Sequence, residues 1–592
     1  DNVPFTELAK GICSNGQLTK LQKEGKEVNA VLFYYIIKRL YMSPERFLIL
    51  LDKNEYSYFA WLQHLNKMVR AKDYANLQIE IKDEDAIFRK FRKYLTVTKY
   101  ELAFFRYIVK REVENDEIGA FKELRKSVWF MITVQGGLAE GRYSAEELNR
   151  FMNYLVMALR LQVLKKEQVK EYFETILRMV QYTVRDPIEE SKIYPRVVCF
   201  LLRTVGDLYS MEEWKAYLDH AVILLRKTGD CFDLPEVVAL LCRMAEDGDC
   251  ENKTRYEKWL FALYEAYHIA EYDCAINIYD SHDDFGQMNL LHEYLRRGRL
   301  ATVNADGKSY TQEQMSKDIM DVFNYARNEL GITKPSKEHL IQLTGRMHIS
   351  GELFQGSIIS EHFEDYWLMT RIRHAGNIGD TETMRNALDI LSGHLDRRFV
   401  ENRQFLDQEY LLLDELNGNI TLQDSISPLI RILEYTIPYR ENDAHIYSAL
   451  EIDTIYKIVR AKRLCGLMQD EDVKILWSVR KSEKRSSLSS WNRTGLLYRL
   501  LAGICQVSGD TETGRELAQE CLRDMIRFQN AQVMADCLDI YAECISNDNP
   551  EYAKRLIQAT YWVCDLYQDE ANKRNINRLH IRLFGVPIET VD

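Results

Sequence analysis

The sequence predicts an all-α protein in which helical hairpins stack along the chain. Helix-breaking residues are scarce, since the 592 residues include only 10 prolines and 27 glycines. Apolar residues make up 46% of the chain, so it can bury cores and is not broadly disordered. Apolar positions recur at the spacing of a helix face, as at Ala553, Leu556, Ile557 and Thr560. The length allows roughly three to five domains or one long repeat array.

Residues 1–52 are predicted to form a helix-turn-helix DNA-binding domain. FTELAKGI is a short amphipathic helix, CSNG is a tight turn, and QLTKLQKEGKE is a polar, basic helix. An apolar helix, VNAVLFYYIIKRLYM, and a final capped helix, SPERFLILLD, complete the segment. Short helices around a tight turn, with a polar second helix, are typical of proteins that place that helix in the major groove of DNA.

The polar helix carries side chains that suit DNA. Asn15 and Gln17 can form paired hydrogen bonds with adenine, and Lys20 can reach guanine or a phosphate. Residues 1–50 hold seven Lys/Arg against five Asp/Glu, a net charge of +2. The whole chain has a net charge of −12, so residues 51–592 carry −14. This asymmetry has the sign expected of a DNA-binding N-terminus on an acidic body. The predicted DNA contacts are Ser14, Asn15, Gln17, Lys20, Lys23 and Lys26.

A family resemblance is carried by Leu8, Gly11, Ile12, Cys13, Ser14, Leu18, Lys20, Leu21 and Gly25. Their spacing resembles the Xre/Cro-type helix-turn-helix of bacterial regulators, most of all the Rgg/PlcR-like peptide-sensing subgroup, which is fused to tetratricopeptide repeats. Two features depart from that pattern: Gln22 replaces the usual glutamate, and one extra residue precedes Gly25. We also expect the first helix of the domain to precede Asp1.

The resemblance implies several properties as expectations. Double-stranded DNA and a short peptide or other small ligand would be the partners, and the protein would be a homodimer that acts in quorum sensing in the cytoplasm. The stretch EYSYFAWLQHLNKMVRAKDY resembles the linker helix of the same regulators, so residues 53–75 are predicted to form that helix.

Residues 76–592, the repeat body, are predicted to form a right-handed solenoid of helical hairpins. The pentapeptide GDTET occurs twice, at 379–383 and 509–513, each time between two helical patterns. Glycine suits a helix C-terminus, and Asp or Thr caps the next helix. The fragments around both copies resemble degenerate tetratricopeptide repeats. A compact multi-domain helical protein is the alternative architecture. Further helix starts are predicted at Ser144 with Glu147, Ser210 with Glu213, Thr311 with Gln314, and Asn549 with Pro550.

Catalytic motifs are lacking in the sequence, so we predict no enzyme, no cofactor and no metal site. There is no HExxH, GxGxxG, GxxxxGK[ST] or GxSxG pattern. His282-Asp283-Asp284 is similar to the HD motif of helical phosphohydrolases, but its further ligands are missing and a polar loop explains it better.

The 12 cysteines form no framework and are predicted to be reduced core residues. The longest apolar run, Ala30 to Ile37, is too short to span a membrane.

The sequence therefore favours a DNA-binding transcription regulator whose repeats sense a ligand, most simply a short peptide. The alternative is a tetratricopeptide-type scaffold for protein–protein interaction, whose N-terminal module is degenerate and only packs against the repeats. Tyr, Asn and Arg side chains on the inner face of a superhelix suit a peptide. The predicted peptide contacts are Asn324, Tyr366, Arg373 and Tyr410.

Overall fold

A computed structural model gives the arrangement of most of the chain. It describes residues 5–13, 16, 29–42, 47–132, 141–245, 250–273, 278–280, 287–304, 307–347, 354–360, 362–443, 445, 447–484, 494–527 and 533–588. The chain forms two compact units. Unit 1 comprises residues 1–44, 58–284 and 502–592, and unit 2 comprises residues 45–57 and 285–501.

The structure is about 75% helical, which confirms the predicted all-α helical-repeat class. The helices are α1 Phe5–Ala9, α2 Ala30–Arg39, α3 Lys53–Arg70, α4 Tyr74–Glu80, α5 Glu84–Lys90, α6 Leu95–Glu112, α7 Glu117–Ser127, α8 Trp129–Ile132, α9 Ala145–Arg160, α10 Lys166–Thr183, α11 Pro187–Ser191, α12 Tyr194–Val205, α13 Met211–Thr228, α14 Leu234–Ala245, α15 Cys250–Ile269, α16 Leu291–Ala301, α17 Gln312–Ser316, α18 Val322–Glu329, α19 Lys337–Arg346, α20 Phe363–Ile378, α21 Thr381–His394, α22 Val400–Leu416, α23 Ile426–Leu433, α24 Ala449–Leu464, α25 Asp470–Lys484, α26 Thr494–Ser508, α27 Thr511–Arg527, α28 Met534–Ile545, α29 Pro550–Leu566 and α30 Glu570–Phe584. Short 3-10 helices lie at Arg92–Tyr94 and Gly206–Leu208. The strands are β1 Phe47–Leu51, β2 Gln287–Leu290 and β3 Phe354–Gly356.

Unit 1 is built from helical hairpins whose members follow each other in the chain. Helices α6 and α7 pack together, as do α13 with α14 and α14 with α15. Their starts are fixed by side chains, since Asp116 accepts from the backbone N–H of Gly119 at 2.8 Å to begin α7. The predicted capping boxes of α9 and α13, at Ser144 and Ser210, are both formed. Local sequence therefore determines where these hairpins turn.

The carboxyl-terminal helices complete unit 1. Helices α27 and α29 pack on α15, more than 200 residues earlier in the chain. Arg255 of α15 forms two hydrogen bonds with Asp565 of α29, at 2.9 and 3.1 Å, and Trp259 donates to the same carboxylate at 2.7 Å. Asn549 caps α29, with Pro550 in its first turn, as predicted. Unit 1 is thus formed from segments on both sides of unit 2 in sequence.

Unit 2 contains a small sheet that the sequence did not predict. Strand β1 pairs in parallel with β2, with Leu48 opposite Gln287 and Leu51 opposite Leu290, and antiparallel with β3. The prediction of a helix over SPERFLILLD is therefore wrong for residues 47–51. A continuous apolar run of five residues has no period that distinguishes a strand from a buried helix. Its partners lie more than 200 residues away, so local sequence could not reveal the pairing.

The two GDTET copies form the helix–turn–helix junctions that the sequence predicts. Gly379 ends α20 with a φ of +73°, a conformation that favours glycine, and the Asp380 side chain accepts from the backbone N–H of Thr383 at 3.0 Å to begin α21. The second copy repeats this arrangement, with Gly509 at a φ of +86° and Asp510 accepting from Thr513. The capping box at Thr311 is also formed.

The cysteines of the described helices are free thiols, in agreement with the predicted reduced core. Cys199, Cys505, Cys521, Cys544 and Cys564 are buried. Burial raises the pKa of Cys564 to about 12, so this thiol is neutral and unreactive at pH 7.

None of the described helices is both long and apolar enough to cross a membrane. The described residues also hold no cluster of three or more His, Cys, Asp or Glu side chains arranged for a metal, and His282-Asp283-Asp284 lies outside them.

Gly379→Ala should lower the free energy of unfolding by about 1 kcal/mol, because an L-residue is strained at positive φ. Gly393→Ala is the matched control in the following helix, where the added methyl group meets nothing within 4 Å and φ is ordinary. This control should be neutral or stabilising by a few tenths of a kcal/mol. Urea unfolding followed by circular dichroism measures both, and equal losses in the two variants would contradict the role given to Gly379.

Candidate ligand cleft and nucleic-acid interface

The predicted DNA contacts lie outside the described residues. Ser14, Asn15, Gln17, Lys20, Lys23 and Lys26 all belong to this group, so their roles stay predictions. The helices on either side of them are described. Helix α1 precedes them and α2 follows them, and both are in unit 1. The structure therefore gives the two helices on either side of the candidate interface, α1 and α2.

Helix α2 is fixed at its start by Asn29, whose side chain accepts from the backbone N–H of Leu32 at 2.9 Å. Its apolar face, including Val31 and Ile37, is buried. Leu8 and Ala9 of α1 form a small core cluster with partly buried Ile36 and Leu40 of α2. Apolar contacts thus hold the two flanking helices together.

Arg39 joins three helices. Its side chain is 1% exposed, and its Nε donates to both carboxylate oxygens of Glu147 in α9, at 3.0 and 3.2 Å. Its Nη1 donates to the carbonyl oxygens of Leu8 at 3.0 Å and Glu7 at 3.3 Å, and also to that of Lys10. These carbonyls end α1, where no backbone donor of the helix remains for them. The guanidinium therefore ties the end of α1 and α2 to the start of α9.

A second buried polar group connects α2 with α6 and α9. The Tyr35 hydroxyl donates to Glu101 Oε1 at 2.8 Å, and Arg150 Nη2 donates to Oε2 of the same carboxylate at 2.5 Å. Tyr58 of α3 is hydrogen-bonded to the Tyr35 hydroxyl at 2.8 Å. Burial, and then the Glu101 charge, raise the pKa of Tyr35 well above its usual value. Burial disfavours the Arg150 cation, but Glu101 more than offsets this and raises the pKa of Arg150.

A cleft opens beside these contacts. It encloses about 690 Å³, counting the part open to solvent, and α2, α6 and α9 supply most of its walls. At its rim Lys38 Nζ donates to Glu146 Oε1 and to the Tyr34 hydroxyl. The side chains of Lys38 and Glu146 are only 10% and 16% exposed.

The four predicted peptide contacts all lie in unit 2. Tyr366 and Arg373 are on α20, where the Tyr366 hydroxyl donates to the carbonyl of Ile358 at 3.3 Å and the Arg373 guanidinium lies 5.5 Å from the centre of the Phe405 ring. The Tyr410 hydroxyl donates to Asp389 at 3.1 Å. Tyr366 and Tyr410 pack against one core cluster, and the Phe405 ring that Arg373 faces belongs to the same cluster. Asn324 is an exposed residue in the first turn of α18 and is not part of that cluster.

The sequence did not reveal the charged residues that join α1, α2 and α9. Ser144 with Glu147 predicts the start of a helix, but nothing near Glu147 in the sequence indicates that Arg39 is its partner. A signal was nonetheless present, since Lys38 and Arg39 are two adjacent cations that end an apolar helix. Charges on such a helix become buried when it packs, and buried charges need partners.

Comparison with known proteins gives a distant likeness. No family model and no curated protein matches the chain. Among solved structures, PlcR of Bacillus thuringiensis, in complex with the peptide PapR7 and DNA, is 13% identical with a TM-score of 0.32, and the match covers 48% of this chain and 98% of PlcR. The SHP pheromone receptor Rgg2 of Streptococcus dysgalactiae is 12% identical with a TM-score of 0.25, covering 49% of this chain and 98% of Rgg2.

Both proteins are of the Rgg/PlcR kind that the N-terminal motif resembles. Both TM-scores are below 0.5, so this likeness carries no argument about the fold, ligands or partners of this chain.

Arg39→Met should lower the free energy of unfolding by about 3–5 kcal/mol, because it leaves the Glu147 carboxylate buried without its partner. The matched control is Arg160→Met, which breaks an exposed pair with Glu117 whose side chains are 59% and 42% exposed. That change should cost under about 1 kcal/mol. Urea unfolding of both variants tests the difference, and comparable losses would mean that Arg39 is no more than a surface charge.

Proposed function

We propose that the chain is a DNA-binding transcription regulator whose repeat body responds to a ligand, most simply a short peptide. In this proposal residues 1–52 bind double-stranded DNA, residues 53–75, which contain α3, form the linker, and residues 76–592 sense the ligand and form a homodimer. The protein would act in the cytoplasm, and it would not be an enzyme. The activity would be quorum sensing if the peptide is secreted by the same cells.

The observation that carries the proposal is the Arg39 contact. The motif residues between α1 and α2 have donors and charges that suit base edges and phosphates. Arg39 and Glu147 tie the two flanking helices to α9, so the helices on either side of this segment are anchored to the helical body. A rearrangement of that body would therefore move the DNA-binding segment with it. Two such segments in a dimer would change their spacing, which sets whether two half-sites can be bound together.

The peptide site is proposed at α20–α22. Tyr366 and Tyr410 pack against one core cluster there, and the Arg373 guanidinium faces the Phe405 ring of that cluster, from which it could donate to a peptide carboxylate. The net charge of −14 outside residues 1–50 favours a ligand that carries a free amine or basic side chains. Asn324 is retained as a candidate on α18, where its exposed side chain could hydrogen-bond a peptide backbone.

Gln17→Ala should weaken sequence-specific DNA binding by about 1–3 kcal/mol and relax the preference at one base position. Lys23→Ala should weaken binding to all sequences alike and reduce the salt dependence. Lys93→Ala, an exposed cation in the body, is the control and should change neither. Selection from random DNA and fluorescence anisotropy at several salt concentrations measure these effects.

The scaffold alternative makes the opposite prediction for the same assay. The chain would then show no preference for any genomic fragment over random DNA. That result would remove the regulator proposal and leave the helical body as a docking platform for another protein.

A cognate peptide should raise the melting temperature and change DNA affinity in the same preparation, because coupling between two sites is reciprocal. At a hundredfold excess over its Kd it should stabilise the folded state by about 2.7 kcal/mol. Arg373→Met should remove both effects, whereas Arg371→Met, an exposed change on the same helix, should leave both intact. If every stabilising peptide leaves DNA binding unchanged, the repeats do not act as the sensor.

A further inference from the structure

The cleft beside α2 has one unsatisfied acceptor. Glu146 Oε1 accepts from Lys38, but Glu146 Oε2 is buried and has no hydrogen-bond partner among the described residues. A buried carboxylate oxygen without a donor costs free energy, and a bound donor would recover it. The strongest available donor to a carboxylate is a cation, because such hydrogen bonds are charge-assisted.

The carboxylates lining the cleft differ in how fully they are bonded. Glu101, Glu146 and Glu147 line it together with Lys38 and Arg150, and Arg39 lies against Glu147, so the local charges balance. Glu101 is already bonded at both oxygens, by Tyr35 and Arg150. Glu147 is bonded at both oxygens by Arg39. Glu146 is therefore the lining carboxylate with capacity left for a ligand.

The remaining walls are apolar and aromatic. Tyr34, Tyr100, Phe104 and Phe130 line the cleft, with Leu62 and Val97 between them. Lys38, Arg150 and Arg39 already lie over the rings of Tyr34, Phe104 and Phe130, so the walls offer a ligand apolar surface rather than free faces for its charge. A ligand that fits has a cationic head at Glu146 and an apolar or aromatic body against these rings.

We propose that this cleft is a binding site for a primary ammonium group carried on an apolar or aromatic body. The ammonium group hydrogen-bonds Oε2 of Glu146, beside the Lys38 ammonium that holds Oε1. Two sources share this chemistry: a free aromatic amine, and the amino-terminal residue of an apolar peptide. The site is in unit 1, whereas Tyr366, Arg373 and Tyr410 are in unit 2, and it does not depend on whether the chain binds DNA.

The experiment uses the full chain and isothermal titration with phenethylamine as the probe. Wild type should bind phenethylamine and should not bind N-acetylphenethylamine, which keeps the ring but lacks the charge. Glu146→Gln should weaken binding about tenfold or more. Glu117→Gln, which alters an exposed carboxylate on α7, is the control and should bind like wild type.

Lys38→Met separates a ligand role of Glu146 from a structural one. This variant and Glu146→Gln both lose the same ion pair, so a structural role predicts the same change in each. The proposal predicts opposite changes, because removing Lys38 removes a like charge beside the bound ammonium group, and phenethylamine then binds several-fold more tightly. Equal weakening in both variants, or equal binding of the N-acetyl compound by wild type, overturns the proposal.

A further pair of probes distinguishes the two sources. An apolar tripeptide with a phenylalanine amino terminus is compared with phenethylamine and with its own N-acetylated form. Tighter binding of the free tripeptide assigns the site to a peptide amino terminus, and tighter binding of phenethylamine assigns it to a free amine. If Glu146→Gln does not fold, Tyr100→Ala replaces it, since this half-buried ring forms one apolar wall, and unchanged phenethylamine affinity in that variant contradicts the site.

Discussion

The junction of α1, α2 and α9 depends on one buried cation. The Arg39 guanidinium is a charged group, so its burial has to be offset by contacts. Glu147 supplies the opposite charge, and the backbone carbonyls of Glu7, Leu8 and Lys10 accept its other hydrogens. A cation is also favoured where a helix ends, because the last carbonyls of α1 carry partial negative charge. The Arg39 side chain thus donates hydrogen bonds to the end of α1 and joins it to the start of α9, and the same contacts offset the cost of burying its own charge.

The start of α9 explains why the partner carboxylates stand where they do. Ser144 begins the helix, and acidic residues are favoured in a first turn by the exposed N–H groups. Glu146 and Glu147 occupy that turn, next to each other. They meet Lys38 and Arg39, which are also adjacent and occupy the last turn of α2, where cations are favoured. The same local preferences that end α2 and begin α9 therefore produce the two ion pairs between them.

The sequence alone predicts the helix junctions and helix starts that are determined by residues close together in the chain. The junctions at Gly379 and Gly509 and the capped starts at Ser144, Ser210 and Thr311 follow from residue types within a few positions, and all were predicted. The strand at Phe47–Leu51 was not, since its partners are far along the chain. The Arg39–Glu147 contact joins residues 108 positions apart, so it too was beyond a local pattern. The motif supplied the candidate DNA contacts, whereas the cleft emerged only when α2, α6 and α9 were placed together.

The two neighbouring ion pairs differ in how completely they are satisfied. Arg39 uses both oxygens of Glu147, so breaking that pair would leave two buried charges and release α1. Lys38 uses one oxygen of Glu146, and the other oxygen has no hydrogen-bond partner among the described residues. In the proposed binding site a ligand donor would take this second oxygen while Arg39 still holds the helices. A ligand can shift an equilibrium only by what it gains in one state over the other. The unsatisfied oxygen of Glu146 would supply that gain, and the saturated carboxylate of Glu147 would keep the helices together.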